Sequence, residues 1–219
     1  MPLRAIIFTW EFPPRIVGGL SRYVNRLAIE LVRKKIDTYV VTFHDSWTGY
    51  HEGIDGVKAY RISNPIKSQI NVITWVLTLN PEIEQTAAGI YYLTKREVDL
   101  IDAHDWHFIP AAVNLKKAFN LPFIFSVDSL EDHRSPSSST PLNLSIKSIE
   151  WLGANEAERV IVKSDWMKQE VSRIYKVPDE KISVVSPNAS RWIDEILESY
   201  KQAVKVPQKV SFNQKEGSF

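Results

Sequence analysis

The 219-residue chain contains no cysteine, which excludes a disulfide framework, thiol catalysis and a thiolate zinc site. It also lacks a surplus of either charge. Lys and Arg number 27 against 26 Asp and Glu, a net charge of +1, and no block of like charge occurs, so no dedicated nucleic-acid surface is expected. No apolar run approaches the length of a membrane span, and the N-terminus leads into a strand without a signal-peptide pattern; the expectation is a cytoplasmic protein with no membrane partner. Asn143-Leu144-Ser145 and Asn188-Ala189-Ser190 then fit the glycosylation pattern by accident. The first turn lacks Gly-x-Gly-x-x-Gly, and no Gly-x-Ser-x-Gly occurs. Those absences weaken a dinucleotide-dependent oxidoreductase and a serine hydrolase.

What is present is an alternation of strand and helix patterns. Ile6–Thr9 is a short buried-strand run, and Pro13-Pro14 forbids helix through the following turn. Gly18-Gly19 then opens a helix whose apolar face carries Leu20, Tyr23, Val24, Leu27, Ala28, Leu31 and Val32. A strand, a glycine loop and a helix N-terminus together can accept an anion, because unpaired N–H groups and the helix dipole point outward. Close helix–strand packing would explain the same glycines equally well.

Further strands are expected at Thr38–Phe43, Val57–Ile62 (an edge strand), Val98–Ala103, Pro122–Val127, Arg159–Val162 and Lys181–Val185. A long helical region after residue 62 is expected to break at Asn80-Pro81, a good N-cap followed by a good first helical residue. Helices are also expected before Phe119 and at 142–156 and 165–175, while Ser135–Pro141 reads as a mobile loop. This order implies an α/β Rossmann-like fold: a mostly parallel sheet with helices on both faces. In such sheets ligands collect at the carboxyl ends of the strands. That rule selects the Gly18-Gly19 loop, His104–His107 and Asp128–Arg134.

Glu11-Phe12-Pro13-Pro14-Arg15-Ile16-Val17-Gly18-Gly19-Leu20 is similar to the opening of glycogen and starch synthases and related retaining glycosyltransferases. Asp102-Ala103-His104-Asp105-Trp106 resembles their His-x-His-Asp-Trp element, with Asp102 where many members carry the first histidine. Ser126-Val127-Asp128 resembles a strand end that often supplies a histidine. The resemblance spans residues 3–188 and implies one half of a GT-B architecture, the acceptor-side domain. The implied reaction is retaining transfer from ADP- or UDP-glucose to an α-1,4-glucan. It needs no metal and no cofactor, the nucleotide sugar being a substrate.

By that resemblance Gly18 and Gly19 face the donor, Asp105 orients sugar hydroxyls, and Trp106 packs behind it. Asp128 takes the place of the histidine that contacts the reacting sugar and is the catalytic candidate. The phosphate-binding Lys two residues before the first glycine is here Ile16, with Arg15 adjacent and off register by one. His104 and Trp10 complete the candidate substrate-binding set; Trp10 is a possible sugar platform beside the glycine loop.

Glu150 and Glu158 are spaced like the family's paired glutamates, but a solvated helix face is the simpler reading. His104 with His107, and His44 with Asp45, are read as ordinary strand-end histidines rather than metal ligands. Trp47, Trp75, Trp106, Trp151 and Trp166 are read as packing residues. Residues 1–188 form the expected Rossmann-like domain. Residues 189–204 are expected to form an amphipathic helix that resembles the family's C-terminal crossover helix and packs on the same domain. Residues 205–219 are a polar tail expected to be partly disordered. The expected partners are an α-glucan acceptor and a separate donor-binding domain, without which the chain is incomplete as an enzyme. The alternative is a non-catalytic carbohydrate- or partner-binding module on the same fold.

Overall fold

The computed structural model describes residues 3–46, 49–52, 54–66, 68 and 70–205. Trp47, Gly53 and the 206–219 tail lie outside the described residues. Eight strands form one sheet: β1 (Arg4–Thr9), β2 (Asp37–Phe43), β3 (Gly49–Glu52), β4 (Lys58–Ile62), β5 (Leu100–His104), β6 (Phe123–Ser126), β7 (Arg159–Val162) and β8 (Ile182–Val184). Their order is β3-β4-β2-β1-β5-β6-β7-β8. Every pair is parallel except β3 with β4. The strand expected at the edge, β4, is therefore covered by an antiparallel neighbour.

Period-two alternation sends successive side chains of β1 to opposite cores. Ile6 and Phe8 meet α2 (Val72–Leu93), α3 (Ile109–Phe119), α5 (Pro141–Glu156) and α6 (Asp165–Tyr175) on one face. Ala5 and Ile7 meet α1 (Gly19–Arg33) and α7 (Trp192–Lys205) on the other. Trp192, Ile193, Ile196, Tyr200 and Ala203 of α7 are buried there beside Val24, Leu27 and Leu31 of α1. Arg26 lies 4.5 Å over the Trp192 ring, and Lys34 pairs with Asp194 at 2.7 Å.

The expected helix break at Asn80-Pro81 is overturned. Helix α2 runs unbroken through Pro81, and its N-cap is Asn71, whose side chain accepts from Thr74 N–H. Asn80 is instead buried mid-helix: its amide donates to the Val76 and His107 carbonyls and accepts from Ala111 N–H. Tertiary hydrogen bonds at Asn80 thus override the local signal. The stretch after the short helix α4 (Glu131–Arg134) has no regular structure up to α5, as expected, and the Ser138 and Thr140 hydroxyls both bond Asn143.

Candidate functional site

The chain turns to opposite sides of the sheet around β1, with β2 on one flank and β5 on the other. This opens the crevice where doubly wound sheets bind ligands. Glu11, directly after β1, is 2% exposed. Its Oε2 accepts from Val17 N–H at 2.6 Å and Gly18 N–H at 2.7 Å. Gly18 is the N-cap of α1 with no side-chain cap bond, and Glu11 holds the Val17 and Gly18 N–H groups at the entry to the helix. The anion expected at this loop is thus partly provided by the protein itself. A Cβ on Gly18 would meet Glu11 Oε1 at 3.4 Å, whereas one on Gly19 would meet nothing within 4 Å. Gly19 is the glycine that faces open space.

Trp10 stacks on His107 at 5.2 Å, and His107 stacks on Trp106 at 4.3 Å. The Arg15 guanidinium lies 4.9 Å from the Trp10 ring and also bonds Asp45 and the Trp10 carbonyl. Arg15 and Trp10 therefore belong to one internal stack that braces the loop. Trp106 is buried against Val76 and Ile146. Burial, reinforced by Arg134, pushes the His107 imidazole down to about 3, so the ring in the stack is neutral near pH 7.

Asp105 follows β5 with φ 63 and ψ 178, a region that suits glycine and is strained for other residues. Its side chain is carried into a buried position, 8% exposed, where Oδ1 has no hydrogen-bond partner. Arg134 Nη1 stands 3.7 Å from it. Burial raises the Asp105 carboxyl to about 6; Arg134 opposes that shift and Glu150 adds to it.

Arg134 itself binds Glu131 at 3.0 Å, Ser129 at 2.6 Å and Glu150 at 2.5 Å. Glu150 is fully buried and also takes the Tyr175 hydroxyl and the Glu131 N–H. The solvated-face reading of Glu150 is thus wrong. It shares a helical stripe with Ile146, Gly153 and Ala154, all buried, and that periodicity could have placed it inside. Glu158 is not solvated either: its side chain is 4% exposed, pairs with Lys116 at 2.8 Å and accepts from Phe123 N–H.

Asp128, after β6, forms an ion pair with Lys163, the residue after β7, leaving Oδ2 without a partner. The Lys163 ammonium lies 4.1 Å over the Tyr23 ring, one turn into α1 from Gly19. Tyr23 in turn meets the His104 ring edge-on at 5.9 Å. His104 Nε2 stands 3.3 Å from Asp102 Oδ2. Asp102 is fully buried and accepts from Ser126 at 2.7 Å and Tyr200 at 2.6 Å. Burial alone would raise its carboxyl, but His104, Tyr200 and Ser126 together hold it below the usual carboxylate range.

One rim therefore gathers Glu11, Asp105, Asp128, Arg134, Lys163 and the start of α1. Arg134 closes the cluster Asp128–Arg134 that the sequence selects but has no role assigned there, whereas Glu11 and Lys163 were not among the sequence candidates, although each lies just past a strand whose carboxyl end meets the crevice. The buried carboxylates, two of them with an unpartnered oxygen, suit hydroxyl donors, and the two cations fix their orientation. Among the described residues no group of three His, Asp or Glu side chains could hold a metal ion, and no helix is long and apolar enough to cross a membrane.

The family model described as Glycosyltransferase Family 4 matches residues 17–187. An uncharacterized glycosyltransferase from Methanocaldococcus jannaschii is 33% identical over 204 residues, 92% of this chain and 50% of that protein. A glycogen synthase from Mycobacterium tuberculosis is 24% identical over 206 residues, 87% of this chain and 50% of that protein. The chain thus spans about half the length of the curated relatives it matches. The fold is similar to sucrose-phosphate synthase from Thermosynechococcus elongatus, with a TM-score of 0.66 at 16% identity over 84% of this chain and 48% of that one. A second structure of the same synthase gives a TM-score of 0.63 at 15% identity and covers 91% of this chain and 97% of that one.

Proposed function

This chain belongs to glycosyltransferase family 4, and on that premise we propose that its rim is the acceptor-side sugar site of a retaining glucosyltransferase of the glycogen and starch synthase kind. The donor is ADP- or UDP-glucose, held chiefly by a second domain that faces this rim, and the acceptor is an α-glucan. The carrying observation is Asp105, a strained, buried carboxylate with an unpartnered oxygen at the crevice. A sugar hydroxyl supplies the donor that oxygen lacks, and an ionised carboxylate accepts it strongly.

In retaining transfer the diphosphate leaves an oxocarbenium-like sugar. Asp128 stabilises that positive charge through its unpartnered Oδ2. Lys163, bound to the other oxygen, offsets the repulsion that a lone carboxylate would exert on the departing diphosphate. Glu11 already holds the Val17 and Gly18 amides, so the donor meets the open side of the loop at Gly19. Trp10 and Arg15 keep that loop in place instead of forming a sugar platform.

Calorimetric titration of the 219-residue chain tests this reading. Maltooligosaccharides should bind weakly, Asp105→Asn should abolish most of that heat, and ADP-glucose alone should give none. Glucan binding that is absent, or that is unchanged in Asp105→Asn, overturns it.

A further inference from the structure

Trp106 and Trp192 are buried and Trp10 is locked in the internal stack, whereas Trp166, expected from the sequence to pack, is 56% exposed. It is the second residue of α6, three past Lys163 at the carboxyl end of β7. We propose that the Trp166 ring is a platform for a glucose unit of the acceptor α-glucan, extending the rim site outward. The inference rests on the glucan reading of the rim.

The ring is held in place before any ligand arrives. His133 of α4 lies against it, with ring centroids 4.7 Å apart and planes at 31°. His133 Nε2 pairs with Glu170 at 2.9 Å, and Arg173 donates to the two Glu170 oxygens at 2.9 and 2.8 Å. Trp166, Glu170 and Arg173 stand at i, i+4 and i+7, on one face of α6. Ser164 caps that helix by accepting from Met167 N–H, which fixes the backbone carrying the ring. A platform braced in this way gives up little rotamer freedom on binding.

Both supports of the ring lead directly to the rim. His133 precedes Arg134, whose Nη1 stands 3.7 Å from Asp105, and Lys163 pairs with Asp128. A glucose ring presents an apolar C–H face edged by hydroxyls. That face suits an indole, while the edge needs polar groups beside it. Glu170 accepts three hydrogen bonds, and a carboxylate has about four lone-pair sites, so one remains for a hydroxyl. A protein partner matches less well. Neither α4 nor α6 exposes another large apolar side chain, and an isolated ring bordered by charges lacks the apolar centre of a protein interface. Trp151, also exposed, lies in the half of α5 that leads away from the rim toward the start of β7.

The test is calorimetric titration of the full chain with maltotriose and maltoheptaose. Trp166→Ala should weaken maltoheptaose binding about tenfold, the scale of stacking on an aromatic face, and leave maltotriose binding within about twofold of the parent. Trp166→Tyr, which keeps an aromatic face, should recover most of the loss. His133→Ala, which removes the brace and keeps the ring, should weaken maltoheptaose about threefold. Asp105→Asn should weaken both sugars. Unchanged maltoheptaose binding in a folded Trp166→Ala variant, an equal loss for both sugars in it, or no recovery in Trp166→Tyr overturns the platform and leaves the rim reading standing. Absence of binding by either sugar to the parent overturns the rim reading and the platform with it.

Discussion

The Tyr200 hydroxyl donates to Asp102 Oδ2 at 2.6 Å, joining the last helix to a fully buried carboxylate of β5. The same Oδ2 stands 3.3 Å from His104 Nε2. Docking of α7 therefore reaches, through one carboxylate, a ring that touches Tyr23 and with it the neighbourhood of Lys163.

Tyr200→Phe keeps the apolar packing of α7 and removes only the donor. Denaturant titration should register a loss of about 1.5–3 kcal/mol, the range for a hydrogen bond to a buried charge. A loss below about 0.5 kcal/mol would mean that α7 is held by apolar contacts alone.

Asp105 and His107 should pull the pH dependence of stability in opposite directions. The Asp105 carboxyl titrates in the fold at about 6, above its unfolded value near 4. Its contribution is fully present below about pH 4 and is lost as pH rises through about 6. His107 titrates in the fold at about 3, below its unfolded value near 6.5. Its contribution is present above about pH 6.5 and is lost as pH falls through about 3. Thermal melts from pH 4 to 6 should therefore show a steeper rise of stability with pH in Asp105→Asn than in the parent. Identical slopes would contradict the raised carboxyl.

Two glycines should respond oppositely to alanine. A Cβ on Gly153 would stand 2.8 Å from Ile109 Cδ1 and 3.1 Å from Phe125 Cδ1, so Gly153→Ala should destabilise by about 1–3 kcal/mol through overpacking. Gly19→Ala meets open space and should change stability by less than about 0.5 kcal/mol.

Glu11→Ala leaves the Val17 and Gly18 N–H groups at the entry to α1 without their acceptor and should lower stability by about 1–3 kcal/mol, the cost of unpaired buried donors. Glu11→Gln retains one acceptor oxygen and should recover part of that loss. Equal losses in the two variants, measured by urea melts, would assign Glu11 a role through its charge and not through the bonds it accepts.

Much of the fold is written locally. The β-branched runs Thr38–Phe43 and Arg159–Val162 are strands, and the stripe from Trp192 to Ala203 is a buried helical face. Asn80-Pro81 misleads because a buried amide with partners at His107 and Ala111 decides that position, and those partners are distant in sequence. At the site, Asp105 is legible because a strand exit is a local feature. The pairing of Lys163 with Asp128 is not, since it depends on β6 and β7 being neighbours. Arg61 reads as an ordinary strand residue until its buried Nε and Nη1, without hydrogen-bond partners among the described residues, become visible in three dimensions.

The backbone at Asp105 sets a double filter on any randomised library at that position. The φ 63, ψ 178 backbone admits glycine freely and strains every other residue. Survivors sorted only for soluble, folded protein should be enriched in glycine, which escapes both the backbone strain and the burial of a charge. Survivors sorted for sugar capture should return to aspartate, and the gap between the two winners measures how much stability this position gives up for recognition.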